Sequence, residues 1–197
     1  MANSINSICI FCGSSTGNAP HYVQAAEALG TVMADRGKRL IYGGGKVGLM
    51  GSIADTVLKH QGEVTGVLPH FLDKKEVGHT GLSELILVET MHERKKIMSE
   101  LADAFIAMPG GFGTLDELAE ILTWIQLGLI KKPVALYNIN GYFDHLVLQM
   151  DLMVREGFLK QQNRELLLLG TDPVQLLEDM EDFDMPDTDK WLFSEGV

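Results

Sequence analysis

Four charged side chains in two short stretches are placed to do chemistry. "MHERKKIM" (91–98) sets Arg94 beside Lys95, and "PGGFGTLDE" (109–117) sets Asp116 beside Glu117 after a run rich in glycine. The glycine run follows the apolar "DAFIAM" and precedes "LAEILTWIQLG", whose apolar residues recur at helical spacing, so it marks a strand-to-helix junction. Free backbone N–H groups and the positive end of a helix dipole meet at such a junction, which suits an anion, phosphate above all. The N–H groups from Gly111 through Phe112 and Gly113 to Thr114, with the Thr114 hydroxyl, form the expected cradle. Glu117 lies six residues beyond Gly111, so it reaches beside a bound phosphate rather than onto it. A carboxylate there suits a sugar or a developing cation. The competing reading starts the helix at Thr114 and makes Asp116 and Glu117 first-turn acids that merely complement the dipole.

Three further stretches belong with these two. Arg94 and Lys95 fall in the first turns of a helix, where the dipole disfavours cations, and this points to an anionic partner rather than a solvated basic face. "CGSSTGN" (12–18) ends a strand with small residues, so a ligand can approach through Gly13 or Ser14, unless the stretch is an ordinary turn. "GGGKVG" (43–48) matches G-x-G-x-x-G after a strand and suggests backbone contacts through Gly44 and Gly45, the alternative being a tight packing turn. A dinucleotide site fits it poorly: the unit is the second of its kind, and the strand after it ends in "VLPH", without the acid that would hold a ribose. Lys46 has no Ser or Thr after it, so it is not a nucleoside-triphosphate loop either.

The elements that must carry these residues repeat along the chain: a short β-branched or apolar run, a glycine turn, an amphipathic helix. Strands alternating with helices imply parallel pairing and right-handed crossovers. The expected fold is α/β, a doubly wound, mainly parallel Rossmann-like sheet of about six or seven strands with helices on both faces. Residues 1–197 read as a single domain, with the core over about 5–180 and an acidic tail over 181–197 that Trp191 and Phe193 can dock. The stretch from Pro69 to Gly81 has no periodicity, and a loop of that length is expected to be functional or mobile.

Composition narrows the partners. A net charge of −11 argues against a nucleic-acid polymer, though not against a single nucleotide in a local pocket. No apolar run approaches ~20 residues, so no membrane span is expected, and "MANSINSICIFCGSS" lacks the features of a secretory leader. The expected location is the cytoplasm. Cys9 and Cys12 are spaced C-x-x-C but lie along an apparent buried strand, which favours two reduced core thiols over a redox pair or a zinc site. No metal or cofactor is expected.

"GGGKVGLMG", "MHERK" and "PGGFGTLDE", in this order and spacing, closely resemble the Lonely guy family, the cytokinin riboside 5′-monophosphate phosphoribohydrolases sometimes mislabelled lysine decarboxylases. The resemblance runs from about Ile8 to Gly157. It implies a homodimer that hydrolyses the N-glycosidic bond of an N6-modified adenosine 5′-monophosphate, or of AMP itself, to free base and ribose 5-phosphate. It places the catalytic Arg and Glu on Arg94 and Glu117, and leaves open whether Glu117 is nucleophile, base or electrostatic stabiliser. It places substrate contacts on Lys95, on Gly111, Phe112, Gly113, Thr114, Leu115 and Asp116, and on Glu76 and Thr123. Phe112 and Asp116 stand where the family commonly has Tyr and Glu. A decarboxylase would need a Schiff-base Lys in a recognisable setting, and no S-x-H-K stretch occurs. The alternative is a non-catalytic nucleotide or cofactor carrier or sensor, since the fold also resembles molybdenum-cofactor carriers.

Overall fold

The computed structural model describes residues 4–73 and 78–186. Glu76, Trp191 and Phe193 lie outside the described residues. In chain order the elements are β1 (Ser7–Phe11), α1 (Pro20–Asp35), β2 (Arg39–Tyr42), α2 (Gly48–Lys59), β3 (Val64–Pro69), the single turn α3 (His70–Asp73) and β4 (Glu84–Val88). There follow α4 (Met91–Leu101), β5 (Ala104–Ala107), α5 (Phe112–Gln126), β6 (Val134–Tyr137), α6 (Asp144–Arg155), α7 (Gln161–Arg164), β7 (Leu167–Gly170) and α8 (Pro173–Asp182). The strands form one seven-stranded sheet in the order β4-β3-β2-β1-β5-β6-β7, and every pairing is parallel. The alternation read from the sequence is therefore the architecture. None of the described helices is long and apolar enough to cross a membrane.

Strand pleating divides the core. Ile8 and Ile10 pack with Leu29 of α1, Ile53 of α2 and Met180 of α8, while Cys9 and Phe11 pack with Met98 of α4 and Ile121 of α5. The same pleating sends Cys9 to one face and Cys12 to the other, so C-x-x-C spacing separates the two thiols. Both are free and buried, and burial raises both above the usual thiol range.

β1 is the switch point, because the chain winds outward from it in both directions and leaves a crevice beyond the carboxyl ends of β1 and β5. Backbone contacts tie the crevice floor. The Gly13 N–H donates to the Pro109 carbonyl at 3.0 Å, and the Leu49 N–H donates to the Gly13 carbonyl at 3.0 Å. Gly110 is needed at this crossing, since a Cβ there would sit 2.9 Å from the Gly13 nitrogen and 2.1 Å from the Thr114 hydroxyl.

Two helix starts aim the charged residues. Thr90 caps α4 by accepting the Glu93 N–H at 3.1 Å, and the Glu93 carboxylate accepts the Glu89 N–H at 2.9 Å. α5 begins at Phe112 with Gly111 as its N-cap, two residues earlier than the sequence pattern implies. Asp116 and Glu117 thus lie in the second turn, beyond the range of the dipole. Their placement needs another cause. The stretch after β3 is docked on the second glycine turn: Gly78 bridges Gly45, the His79 N–H donates to the Gly44 carbonyl at 2.9 Å, and the His79 imidazole meets Asp55 at 2.9 Å.

Candidate active site

A cavity of about 540 Å³ opens at the switch point, a size that suits a small-molecule ligand. One side is polar and built from Gly13, Ser14 and the start of α5, Gly111 to Thr114. The opposite wall is apolar, with Met50 of α2, Leu68 of β3 and Leu72 of α3. Arg94 and Glu117 form its charged part.

Helix geometry separates the two polar functions. Helical N–H groups at the start of α5 have no intrahelical acceptor, so those of the glycine-rich turn are available to an anion. Thr114 and Glu117 are one turn apart on the same face, both buried, and Glu117 stands ~9 Å along the axis from the N-cap at 1.5 Å per residue. An anion at the helix start and a carboxylate farther along leave room for a sugar between them.

Arg94 approaches from α4. Its Nη2 lies 3.5 Å from the Glu117 Oε1, its Nη1 lies 3.8 Å from the Met91 sulfur, and its Nε is buried without a protein partner. A buried guanidinium so sparsely paired retains donors for a ligand anion. Its berth depends on Gly43, where a Cβ would fall 1.8 Å from Nη2. Burial raises the Glu117 carboxyl to about 7, outweighing the lowering by Arg94; Asp116 raises it further, Lys95 lowers it and Glu120 raises it. An acid poised near neutrality can accept or return a proton under working conditions.

The other expected contacts divide. Gly45 lines the cavity, whereas Gly44 packs against Leu68 and Leu85 behind the wall. Phe112 projects from the rim, 93% exposed. Lys95 does not line the cavity: its Nζ lies 3.1 Å from Asp116 and 3.2 Å from Glu120, joining α4 to α5 beside the Arg94–Glu117 pair. Desolvation pulls the Lys95 ammonium down, and the hydrogen bonds it donates to Asp116 and Glu120, with their charges, more than reverse this, leaving it above its usual range. The Thr123 hydroxyl donates to the Ala119 carbonyl at 2.7 Å, outside the cavity. Leu115 turns into a second, apolar groove of about 290 Å³ between α5, α6 and α7, with Leu122, Met150 and Met153. The residues missed from the sequence are Gly43, the apolar wall and Glu120. Only Gly43 had a local signal, as a member of the glycine triplet.

Comparison with known proteins bears on the whole arrangement. The protein-family model described as "Possible lysine decarboxylase" matches residues 50–180. A probable cytokinin riboside 5′-monophosphate phosphoribohydrolase of Oryza sativa subsp. japonica is 46% identical over 89% of this chain and 79% of its own length. A cytokinin riboside 5′-monophosphate phosphoribohydrolase of Arabidopsis thaliana is 42% identical over 90% of this chain and 82% of its own. Among solved structures, the molybdenum cofactor binding protein of Rippkaea orientalis superposes with a TM-score of 0.66 at 23% identity, covering 87% of this chain and 93% of that one. The Moco carrier protein of Chlamydomonas reinhardtii gives 0.65 at 21% identity over the same shares. Likeness at those identities extends to the fold.

Proposed function

The chain belongs to the Lonely guy family of cytokinin riboside 5′-monophosphate phosphoribohydrolases, and on that premise we propose that it hydrolyses the N-glycosidic bond of an adenosine 5′-monophosphate, N6-modified or plain. The observation that carries the reading is the buried Arg94–Glu117 pair at 3.5 Å, set beside a glycine-rich helix start in one cavity. The 5′-phosphate sits on the Gly111–Thr114 N–H groups, and the apolar wall of Met50, Leu68 and Leu72 takes the base. Holding the remote phosphate supplies binding energy that places the scissile bond.

In the reaction the C1′–N bond breaks and its electron pair leaves with the base, which takes up a proton. The ribose becomes oxocarbenium-like and water adds at C1′. Glu117 faces that cation, stabilises it, accepts the proton of the incoming water and then releases it, so that the proton gained by the base and the one lost from water balance. Arg94 holds Glu117 in place and offsets substrate charge. A pyridoxal decarboxylase fits poorly, since none of the described cavity-lining residues is a lysine.

The resemblance further implies a homodimer, and exposed apolar surface supports one: Phe112 and Phe158 are 93% and 89% exposed, and an apolar groove runs along α5 from Leu115 to Met153 of α6. We take a second copy to cover it. Free buried thiols fit a reducing cytoplasm.

Incubation with AMP and with isopentenyladenosine 5′-monophosphate, followed by chromatography of the free base, tests the activity. Release of base from either is expected. Tight nucleotide binding without release identifies a carrier instead.

A further inference from the structure

Beyond the cavity, the corner between β6 and α6 touches the phosphate loop at one atom. The Tyr142 hydroxyl donates to the Gly110 carbonyl at 2.6 Å, across 32 residues of chain. The corner that presents Tyr142 is firmly determined. Buried Asn138 accepts the Phe143 N–H at 2.7 Å and donates to Asp144 at 2.7 Å, while Asn140 and Gly141 take left-handed φ values of 51° and 71°. The Tyr142 ring packs edge-on to Tyr22 at 5.9 Å and to buried Phe143 at 5.0 Å.

This contact has a directional consequence. The peptide is trans, so the Gly110 carbonyl and the Gly111 N–H point to opposite sides of it. The carbonyl faces Tyr142, and both residues line a separate outer cleft of about 290 Å³. Gly111 also lines the main cavity, which neither Gly110 nor Tyr142 reaches. Both residues flanking this peptide are glycines, so no Cβ restricts ψ at Gly110 or φ at Gly111 and nothing in the local torsions opposes a flip. A flipped peptide would present a carbonyl oxygen to the phosphate.

We propose that Tyr142 is a positioning residue for the phosphate cradle: its hydroxyl holds the Gly110–Gly111 peptide with the carbonyl turned outward and the Gly111 N–H turned into the cavity. The proposal builds on the phosphate placement inferred above and concerns affinity for the 5′-phosphate, not the bond-breaking step. Tyr142 is 43% exposed and the Phe variant keeps its ring contacts, so loss of the hydroxyl should lower the melting temperature by no more than a few degrees.

Tyr142→Phe keeps the ring contacts and removes the one hydrogen bond. Calorimetric titration with AMP and with adenosine is the test, each protein carrying Glu117→Gln so that AMP is bound without appreciable turnover, with steady-state kinetics of Tyr142→Phe alone on AMP and thermal melting alongside. The expected result is AMP affinity reduced ~5- to 10-fold, adenosine affinity unchanged, KM raised with kcat nearly constant, and a melting temperature within a few degrees of wild type. Equal AMP affinity in both proteins overturns the proposal, as does equal weakening of AMP and adenosine. Failure of wild type to release base overturns the hydrolase reading alone, because the AMP titrations still decide the role of Tyr142. Failure of the Glu117→Gln protein with Tyr142 intact to bind AMP overturns both.

Discussion

Arg94 and Glu117 face each other from adjacent helices at 3.5 Å, each nine-tenths buried, yet the pair does not hold Glu117 in its ordinary ionised range. The separation exceeds that of a good charge-assisted hydrogen bond, so Coulomb attraction returns less than desolvation removes. The outcome is a carboxyl near 7 and a guanidinium with unused donors, which is the state in which both can still respond to a substrate.

Glu117→Gln is therefore expected to lower kcat by ~100-fold or more with little change in substrate affinity, since the lost interaction develops mainly in the transition state. Asp116→Asn is the control. Asp116 is turned outward onto Lys95, which keeps Glu120 as a second partner, so this change should cost less than ~10-fold. The pH profile adds a sign: the ionised carboxyl is the active form, so kcat/KM should rise with pH through an apparent value near 7. The residual rate of Glu117→Gln should lack that limb. A limb that persists in the variant assigns it to another group.

Gly43→Ala should separate folding from catalysis. The new methyl would meet the Arg94 Nη2 at 1.8 Å, an atom at the end of a flexible side chain, so the guanidinium moves and the backbone stays. Loss of kcat/KM by ~10-fold or more with a melting temperature within a few degrees of wild type is expected, because a misplaced catalytic group alone is costly. Full activity in Gly43→Ala would mean that the berth of Arg94 is not critical.

The phosphate should be obligatory. The N–H groups of Gly111 to Thr114 and the Arg94 guanidinium are anion-binding devices, and adenosine uses neither. A comparison of AMP with adenosine should show at least ~100-fold in kcat/KM. Comparable turnover of the two would remove phosphate anchoring from the mechanism.

Light scattering at micromolar concentration should give the mass of two chains. Phe158→Asp, at a side chain 89% exposed, should shift it toward one chain without unfolding. A monomeric wild type would contradict the proposed dimer.

Legibility of the site followed the range of the interactions. Strand and helix periods, and glycine turns at strand ends, are local signals: they imply a mainly parallel sheet of about six or seven strands, where the structure has seven, and they single out Arg94 and Glu117 as candidates whose side chains meet in the cavity. The true start of α5 is hidden in the sequence because Gly111, Phe112 and Gly113, at the N-cap and in the first turn, carry no apolar period. The roles of Gly43 and Tyr142 depend on contacts 51 and 32 residues away, which no local spacing announces. The apolar wall is gathered from α2, β3 and α3, so its members read as ordinary core residues until the fold assembles them.

The most discriminating prediction concerns stability, because it opposes the usual view of a buried ion pair. In the unfolded chain the Glu117 carboxyl titrates near 4.5, and in the folded protein near 7. Between those values the folded state holds the extra proton, so the contribution of Glu117 to stability is full below the unfolded value and is lost as pH rises through the folded one. By pH 8 the loss amounts to roughly 3 kcal/mol, taken from 1.36 kcal/mol per pH unit of displacement. Gln resembles the protonated acid and carries no such loss. Melting of wild type and Glu117→Gln at pH 8, 6.5 and 5 should show the variant more stable at pH 8, with the difference shrinking steadily toward pH 5. Groups common to both proteins cancel in that difference. If the pairing with Arg94 were instead a net stabilising salt bridge, the variant would be the less stable protein, increasingly so at higher pH. A variant that gains stability while losing turnover would mark Glu117 as a residue the fold tolerates for its chemistry.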